Sequence, residues 1–199
     1  MASPAKLAHI VLRTAQMKTM LDWYVLVLEG RGTHEGDYLS FMTYDDEHHR
    51  VAFAVTGASE RPDDRCTGLQ HFAFTYSSLG DLLGTYKRLK AVGIQPTVTI
   101  NHGPTTSLYY ADPDGNNVEL QIDNFETAQD AEDFLSSDAF DENPVGVLFD
   151  PDELAARFEA GEPVAELVKH PQVFRLTDCK CRRGKATCCI QLMNSRAIP

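Results

Sequence analysis

The sequence predicts an α+β fold: two βαβββ modules joined into an open, barrel-like mixed sheet, followed by a mostly helical or irregular C-terminal extension. Three observations predict it. LAHIVLRT (7–14) lies over LQHFAFTY (69–76) at an offset of 62 residues, which places His9 on His71 and Tyr24 on Tyr86. Self-similarity at a fixed spacing marks a duplicated unit. Each copy then reads as a strand, an amphipathic helix and further strands. The second copy closes on TTSLYYADPDGNNVELQ (105–121), which carries the signals of a hairpin.

The elements follow in order. Residues 7–13 alternate as a strand, and residues 16–28 form a helix with Met20, Trp23, Tyr24 and Val27 on one side. Glu29-Gly30-Arg31-Gly32 supplies a glycine C-cap signal. Residues 38–44 and 50–56 are strands joined by the polar turn Asp45-Asp46-Glu47, and 58–67 is a polar linker containing Arg61-Pro62-Asp63-Asp64. The pattern restarts with a strand over 69–75 and a helix over 78–92, whose core face is Leu79, Leu82, Leu83, Tyr86 and Leu89, with Gly93 as its cap. Strands over 96–100, 105–111 and 117–122 complete the module. Asp112-Pro113-Asp114-Gly115-Asn116 has turn chemistry, because Pro presets φ and Gly or Asn accepts positive φ. In the closing strand Asn117, Glu119 and Gln121 share one face, and Val118, Leu120 and Ile122 the other. The modules span 6–57 and 68–124 within a domain of residues 1–124; residues 125–199 are the extension. There Asp150-Pro151-Asp152-Glu153 opens a helix over 154–160, with acids near the positive end of its dipole.

Composition narrows the function. The 199 residues are 43% hydrophobic, enough for one domain or a compact pair of repeats. No apolar run approaches the ~20 residues of a membrane span, and MASPAKLAHIVLR lacks a signal-peptide core. The expectation is a soluble cytoplasmic protein with no membrane partner. A net charge of −11 argues against nucleic acid as a partner. The charge is uneven: residues 126–170 hold thirteen acids and two bases, and residues 171–199 hold six bases and one acid, Asp178. Of five cysteines, Cys66 stands alone and Cys179, Cys181, Cys188 and Cys189 crowd the tail. The odd count suggests no disulfide framework, and C-x-C followed by C-C fits none of the common zinc spacings. The tail reads as reduced.

The repeat also points to chemistry. RVAFAV (50–55) aligns with NVELQI (117–122), so Glu119 falls on Ala52. Equivalent strands of a paired repeat are expected to converge about a pseudo-twofold axis, bringing His9 and His71 from opposite sides, with Glu119 on an inward face. A single strand histidine is more often a packed or surface residue than a ligand. Two at matched repeat positions with one glutamate on the closing strand point instead to a metal. Two imidazoles and one carboxylate suit non-heme Fe(II), which needs vacant positions for substrate and O₂; Mn(II) suits similar donors.

These residues resemble a known group. The LxH starts, YYADPDGNNVE (109–119) and HHRVAF (48–53) resemble the vicinal oxygen chelate superfamily of glyoxalases, bleomycin-resistance proteins and type I extradiol dioxygenases, over roughly residues 6–124. They are closest to the single-domain extradiol catechol dioxygenases. The resemblance implies His9, His71 and Glu119 as iron ligands. It implies His49 as the histidine serving dioxygen activation and proton transfer, and Tyr109 as the tyrosine that hydrogen-bonds a substrate hydroxyl oxygen. His102, in Asn101-His102-Gly103, resembles a further active-site histidine, although its loop to Tyr109 is shorter than in the catechol 2,3-dioxygenases. The implied reaction is Fe(II)-dependent ring cleavage of a catechol-type aromatic diol, such as a biphenyl-2,3-diol, with O₂. A homodimer would supply the surface that larger members take from extra modules. Residues 143–147 and 150–154 look like the extension of other single-domain members. His34, His48 and His170 receive no role, and Phe53, Phe72, Phe74 and Tyr110 suit either a pocket lining or the core. Two alternatives remain. One is a metal-dependent isomerase, lyase or epimerase that polarises vicinal oxygens without O₂. The other is a metal-free binding protein of the resistance type, against which the intact ligand positions count.

Overall fold

A computed structural model describes residues 2–61 and 66–170. Part of the 58–67 linker and the whole cysteine-rich basic tail, 171–199, therefore lie outside the described residues. The chain forms two compact units, the first from residues 1–68 and 111–116, the second from residues 69–110 and 117 onward. The described residues are α+β, with a four-stranded and a five-stranded mixed sheet, neither closed into a barrel. No described helix is long and apolar enough to cross a membrane.

The first unit runs β1 (Ile10–Arg13), α1 (Met17–Leu28), β2 (Arg31–His34), β3 (Leu39–Thr43) and β4 (Val51–Ala54). The sheet order is β1-β4-β3-β2, parallel between β1 and β4 and antiparallel elsewhere. Helix α1 buries Met20, Leu21, Tyr24 and Val27 against β3 and β4, where Met42, Val51 and Phe53 are fully enclosed. This is the expected amphipathic face, with Leu21 in place of Trp23. Three expectations shift. Strand β1 begins at Ile10, after His9, rather than at residue 7. The left-handed residue closing α1 is Glu29, at φ 50°, rather than a glycine. Gly30 is needed for space instead: a Cβ there would lie 2.5 Å from both Met42 Cε and the Thr43 carbonyl oxygen. The Arg31-Gly32 pair opens β2 rather than ending the helix.

The turn between residues 111 and 116 belongs to this unit, and Asp112 organises it. Its carboxylate accepts from the backbone N–H of Asp114 (3.0 Å) and Asn116 (2.8 Å), from Asn116 Nδ2 (2.8 Å) and from the Tyr24 hydroxyl (2.8 Å). Gln16 donates to the Pro113 carbonyl oxygen (3.0 Å) and to Asp114 Oδ1 (2.6 Å). Burial raises the Asp112 pKa above 3.8, and the bonds from Asn116 and Tyr24 oppose that rise. Folded Asp112 therefore keeps its proton to higher pH than the unfolded chain, so its contribution to stability declines as pH rises above 3.8. Tyr24→Phe removes a bond to the charged form. It should cost about 1.5–3 kcal/mol at neutral pH, read from urea unfolding, and less in acid.

The second unit runs β5 (His71–Thr75), α2 (Leu79–Ala91), β6 (Val98–Asn101), β7 (Thr105–Ala111) and β8 (Asn117–Asp123), as expected within a few residues. The sheet order of these strands is β5-β8-β7-β6. The Ser78 hydroxyl caps α2 by accepting from Asp81 N–H (3.1 Å), and Gly93 at φ 83° follows its last turn. The extension supplies α3 (Ala128–Leu135), α4 (Asp138–Glu142), β9 (Val147–Leu148), α5 (Pro151–Glu159) and α6 (Val164–Leu167). Asp150 caps α5 as its sequence suggests, and Asp152 accepts from the Tyr86 hydroxyl (2.8 Å) and from Lys90 on α2. Strand β9 pairs antiparallel with β6, so the extension completes the sheet.

Candidate active site

In the second unit, β5 and β8 run parallel with Ala73 opposite Glu119. His71 stands two residues before Ala73 and so shares its face with Glu119. Its Nε2 lies 3.0 Å from Glu119 Oε2, and Tyr109 sets its ring edge-on to the imidazole with centroids 5.4 Å apart. Glu119 is only 4% exposed, against the usual solvation of a strand carboxylate. Burial alone would raise its pKa. Hydrogen bonds from His71, Ser107 and Tyr109, with the charge of His71, outweigh this and hold it below 4.5. The buried group therefore stays an anion. Burial and the nearby Glu119 carboxylate push the Tyr109 phenol up, keeping it protonated at neutral pH. The Tyr109 hydroxyl also lies 3.0 Å from His102 Nε2, and His102 Nδ1 lies 2.5 Å from the Val145 carbonyl oxygen.

The first unit repeats this register. Val11, two residues after His9, stands opposite Ala52, as Ala73 stands opposite Glu119. Ala52 thus holds the place of the carboxylate, as the repeat alignment anticipated. His9 is exposed just before β1, with its ring 4.4 Å from that of His49. The His49 ring stacks on Phe41 at 4.8 Å and 26°. Desolvation, then the neighbouring His48 and His9, depress its pKa below 6.5, so it is neutral at pH 7. Arg50 braces the chain leading to His9: it donates to the Leu7 (2.8 Å) and Ala8 (3.1 Å) carbonyl oxygens while Asp45 grips its other nitrogens. His34 and His48 are exposed, and half-buried His170 packs near Phe134.

Of the expected site residues, His71, Glu119, Tyr109 and His102 therefore form one connected chain in the second unit, while His9 and His49 pack together in the first. Among the described residues, no three His, Cys, Asp or Glu side chains are gathered as a metal-holding group. The donor chemistry nevertheless fits a divalent cation. A buried carboxylate that stays ionised faces an imidazole nitrogen, and both can turn to a shared ion. Sequence reasoning missed Ser107, Phe41 and the Val145 carbonyl. Strand alternation places Ser107 on the face of Tyr109, so a signal existed; a backbone carbonyl leaves none.

Comparison with known proteins agrees with this frame. The model of the Glyoxalase/Bleomycin resistance protein/Dioxygenase superfamily matches residues 6–120. Biphenyl-2,3-diol 1,2-dioxygenase 2 of Rhodococcus globerulus is 46% identical over 178 residues, 89% of this chain and 94% of that protein. Biphenyl-2,3-diol 1,2-dioxygenase 3 of the same organism is 44% identical over 164 residues, 81% of this chain and 86% of that protein. Among solved structures, a lactoylglutathione lyase from Agrobacterium tumefaciens superposes with a TM-score of 0.50 at 18% identity, covering 61% of this chain and 96% of that one. A glyoxylase/bleomycin resistance protein/dioxygenase domain from Frankia sp. gives 0.50 at 22% identity, covering 61% and 99%. At these identities the structural likeness speaks for the fold alone.

Proposed function

Because the chain belongs to the glyoxalase/bleomycin resistance protein/dioxygenase superfamily, we propose that it is an extradiol dioxygenase that opens an aromatic ring beside a vicinal diol of the biphenyl-2,3-diol class, using O₂. One observation carries the reading: a family relative of that activity is 46% identical over nearly the whole of both chains. The buried, ionised Glu119 paired with His71 supports it from the structure. The proposed metal ligands are His71, Glu119 and His9, and the proposed metal is Fe(II), with Mn(II) compatible with the same donors. Support for His9 is its repeat equivalence with His71. When bound, the metal supplies Lewis acidity and one-electron chemistry to the diol and O₂. We also propose a cytoplasmic homodimer, which sedimentation of the purified chain checks.

The chain's own residues perform the rest. Tyr109, buried and protonated, holds one substrate hydroxyl oxygen and fixes the ring's orientation. His49, neutral because it is desolvated and ringed by other imidazoles, takes a proton from the diol and returns it during ring opening. Tyr109→Phe should raise KM for the diol and lower kcat/KM about 10- to 100-fold, with metal content unchanged, since one hydrogen bond to substrate is lost.

The test is anaerobic. Fe(II)-loaded protein is mixed with biphenyl-2,3-diol, then exposed to O₂. The expected result is no product before O₂ and a yellow ring-opened product after it. Turnover of a vicinal-oxygen substrate without O₂ would replace the dioxygenase with an isomerase, lyase or epimerase.

A further inference from the structure

We propose that Arg50 and Asn117 are matched positioning residues: each donates to the carbonyl oxygen just before a proposed ligand histidine, and so sets the backbone from which His9 and His71 reach the metal. This rests on the functional reading above and adds a positioning element to it. The repeat places Gln70 on Ala8 and Asn117 on Arg50. In the first unit Arg50 Nη1 donates to the Ala8 carbonyl oxygen (3.1 Å). In the second, Asn117 Nδ2 donates to the Gln70 carbonyl oxygen (3.2 Å), from the position directly opposite His71 in the β5–β8 register. Arginine and asparagine share neither length nor charge. Their bonds nevertheless fall on the same backbone place, which a chance surface contact would not produce twice.

The hold on His9 is the more complete. His9 is exposed ahead of β1, so burial does not fix its backbone. Arg50 brackets it instead. Its guanidinium takes the Ala8 carbonyl, on the peptide plane before His9, and its own carbonyl oxygen accepts from the Ile10 N–H (3.0 Å), on the plane after. With both flanking planes tied, the two soft dihedrals of His9 are set, and with them the direction of its Cα–Cβ bond. Arg50 is itself anchored. Its N–H donates to the Met42 carbonyl oxygen (2.9 Å), and Asp45 accepts from its Nε (2.9 Å) and pairs with its Nη2 (2.9 Å). The Glu47 N–H (3.0 Å) and the Thr43 hydroxyl (3.2 Å) hold that carboxylate in turn, and Lys6 pairs with Glu47. Because His49 directly precedes Arg50 in the chain, one residue sets the His9 and His49 rings against each other at 4.4 Å.

Anaerobic Fe(II) titration of the full metal-free chain, with folding checked by circular dichroism, tests this. Arg50→Met and Asn117→Ala should each weaken Fe(II) binding about 10- to 100-fold, the usual cost of losing a group that orients a metal ligand. Lys90→Met, which breaks the ion pair with Asp152 on α5, should leave the affinity unchanged and so separates positioning from a general loss of surface pairing. In the metal-free chain, nuclear Overhauser contacts between the His9 and His49 imidazole protons should be present in the parent and lost in Arg50→Met. Parent affinity in Arg50→Met or Asn117→Ala, imidazole contacts unchanged in Arg50→Met, or an equal loss of affinity in Lys90→Met would overturn the proposal even if the chain cleaves diols. The expected affinities and contacts in a chain that cleaves no diol would leave the positioning intact and remove the functional reading instead.

Discussion

Glu119→Ala should abolish metal uptake and ring cleavage together, lowering both by more than about 100-fold, beyond the cost of losing a group that merely orients a ligand. Glu119 is the single carboxylate of the proposed ligand set, and it is buried, ionised and within 3.0 Å of the other donor in its unit. Glu119→Gln separates charge from shape. It keeps the side-chain volume on β8 and the acceptor for Ser107 and Tyr109, yet should also fail to take up Fe(II). A substitution at the equivalent register position provides contrast: Ala52 stands there in the first unit, and Ala52→Ser should leave metal content unchanged.

His49→Gln should retain iron and diol binding but lose about 10²- to 10⁴-fold in kcat, the range for removing a general acid or base. Glutamine fills similar space beside Phe41 and His9 without accepting a proton at neutral pH. Metal analysis and anaerobic diol binding identify the variant as intact, and single-turnover kinetics read the loss. Full activity in His49→Gln would remove the acid/base assignment and leave the ligand set standing.

Much of this was legible in the sequence because it rests on side-chain periodicity. The 62-residue offset fixed His9 against His71, and the closing-strand alignment set Glu119 against Ala52; both registers recur in the strand pairing. The helices α1 and α2 followed from their apolar spacing. Strand β2 was invisible because Arg31, Gly32, Thr33 and His34 are all exposed and show no alternation. The close of α1 was misread because Gly30 answers to the nearby Met42 and Thr43, a tertiary contact, while Glu29 takes the left-handed turn. The repeat alignment set Glu119 on an inward face, but the hydroxyls and imidazole that keep it ionised there come from other strands and left no local signal. The hold of Val145 on His102 runs through a carbonyl common to every residue and could not be read from sequence.

The shared ligand set is tested by metal content in the unaltered chain and in His9→Ala, His71→Ala and Glu119→Ala, each loaded anaerobically with Fe(II) and desalted. About one Fe(II) per chain is expected in the parent and near none in each of the three variants, all still folded by circular dichroism. A His9→Ala protein that keeps its full complement of iron would contradict it.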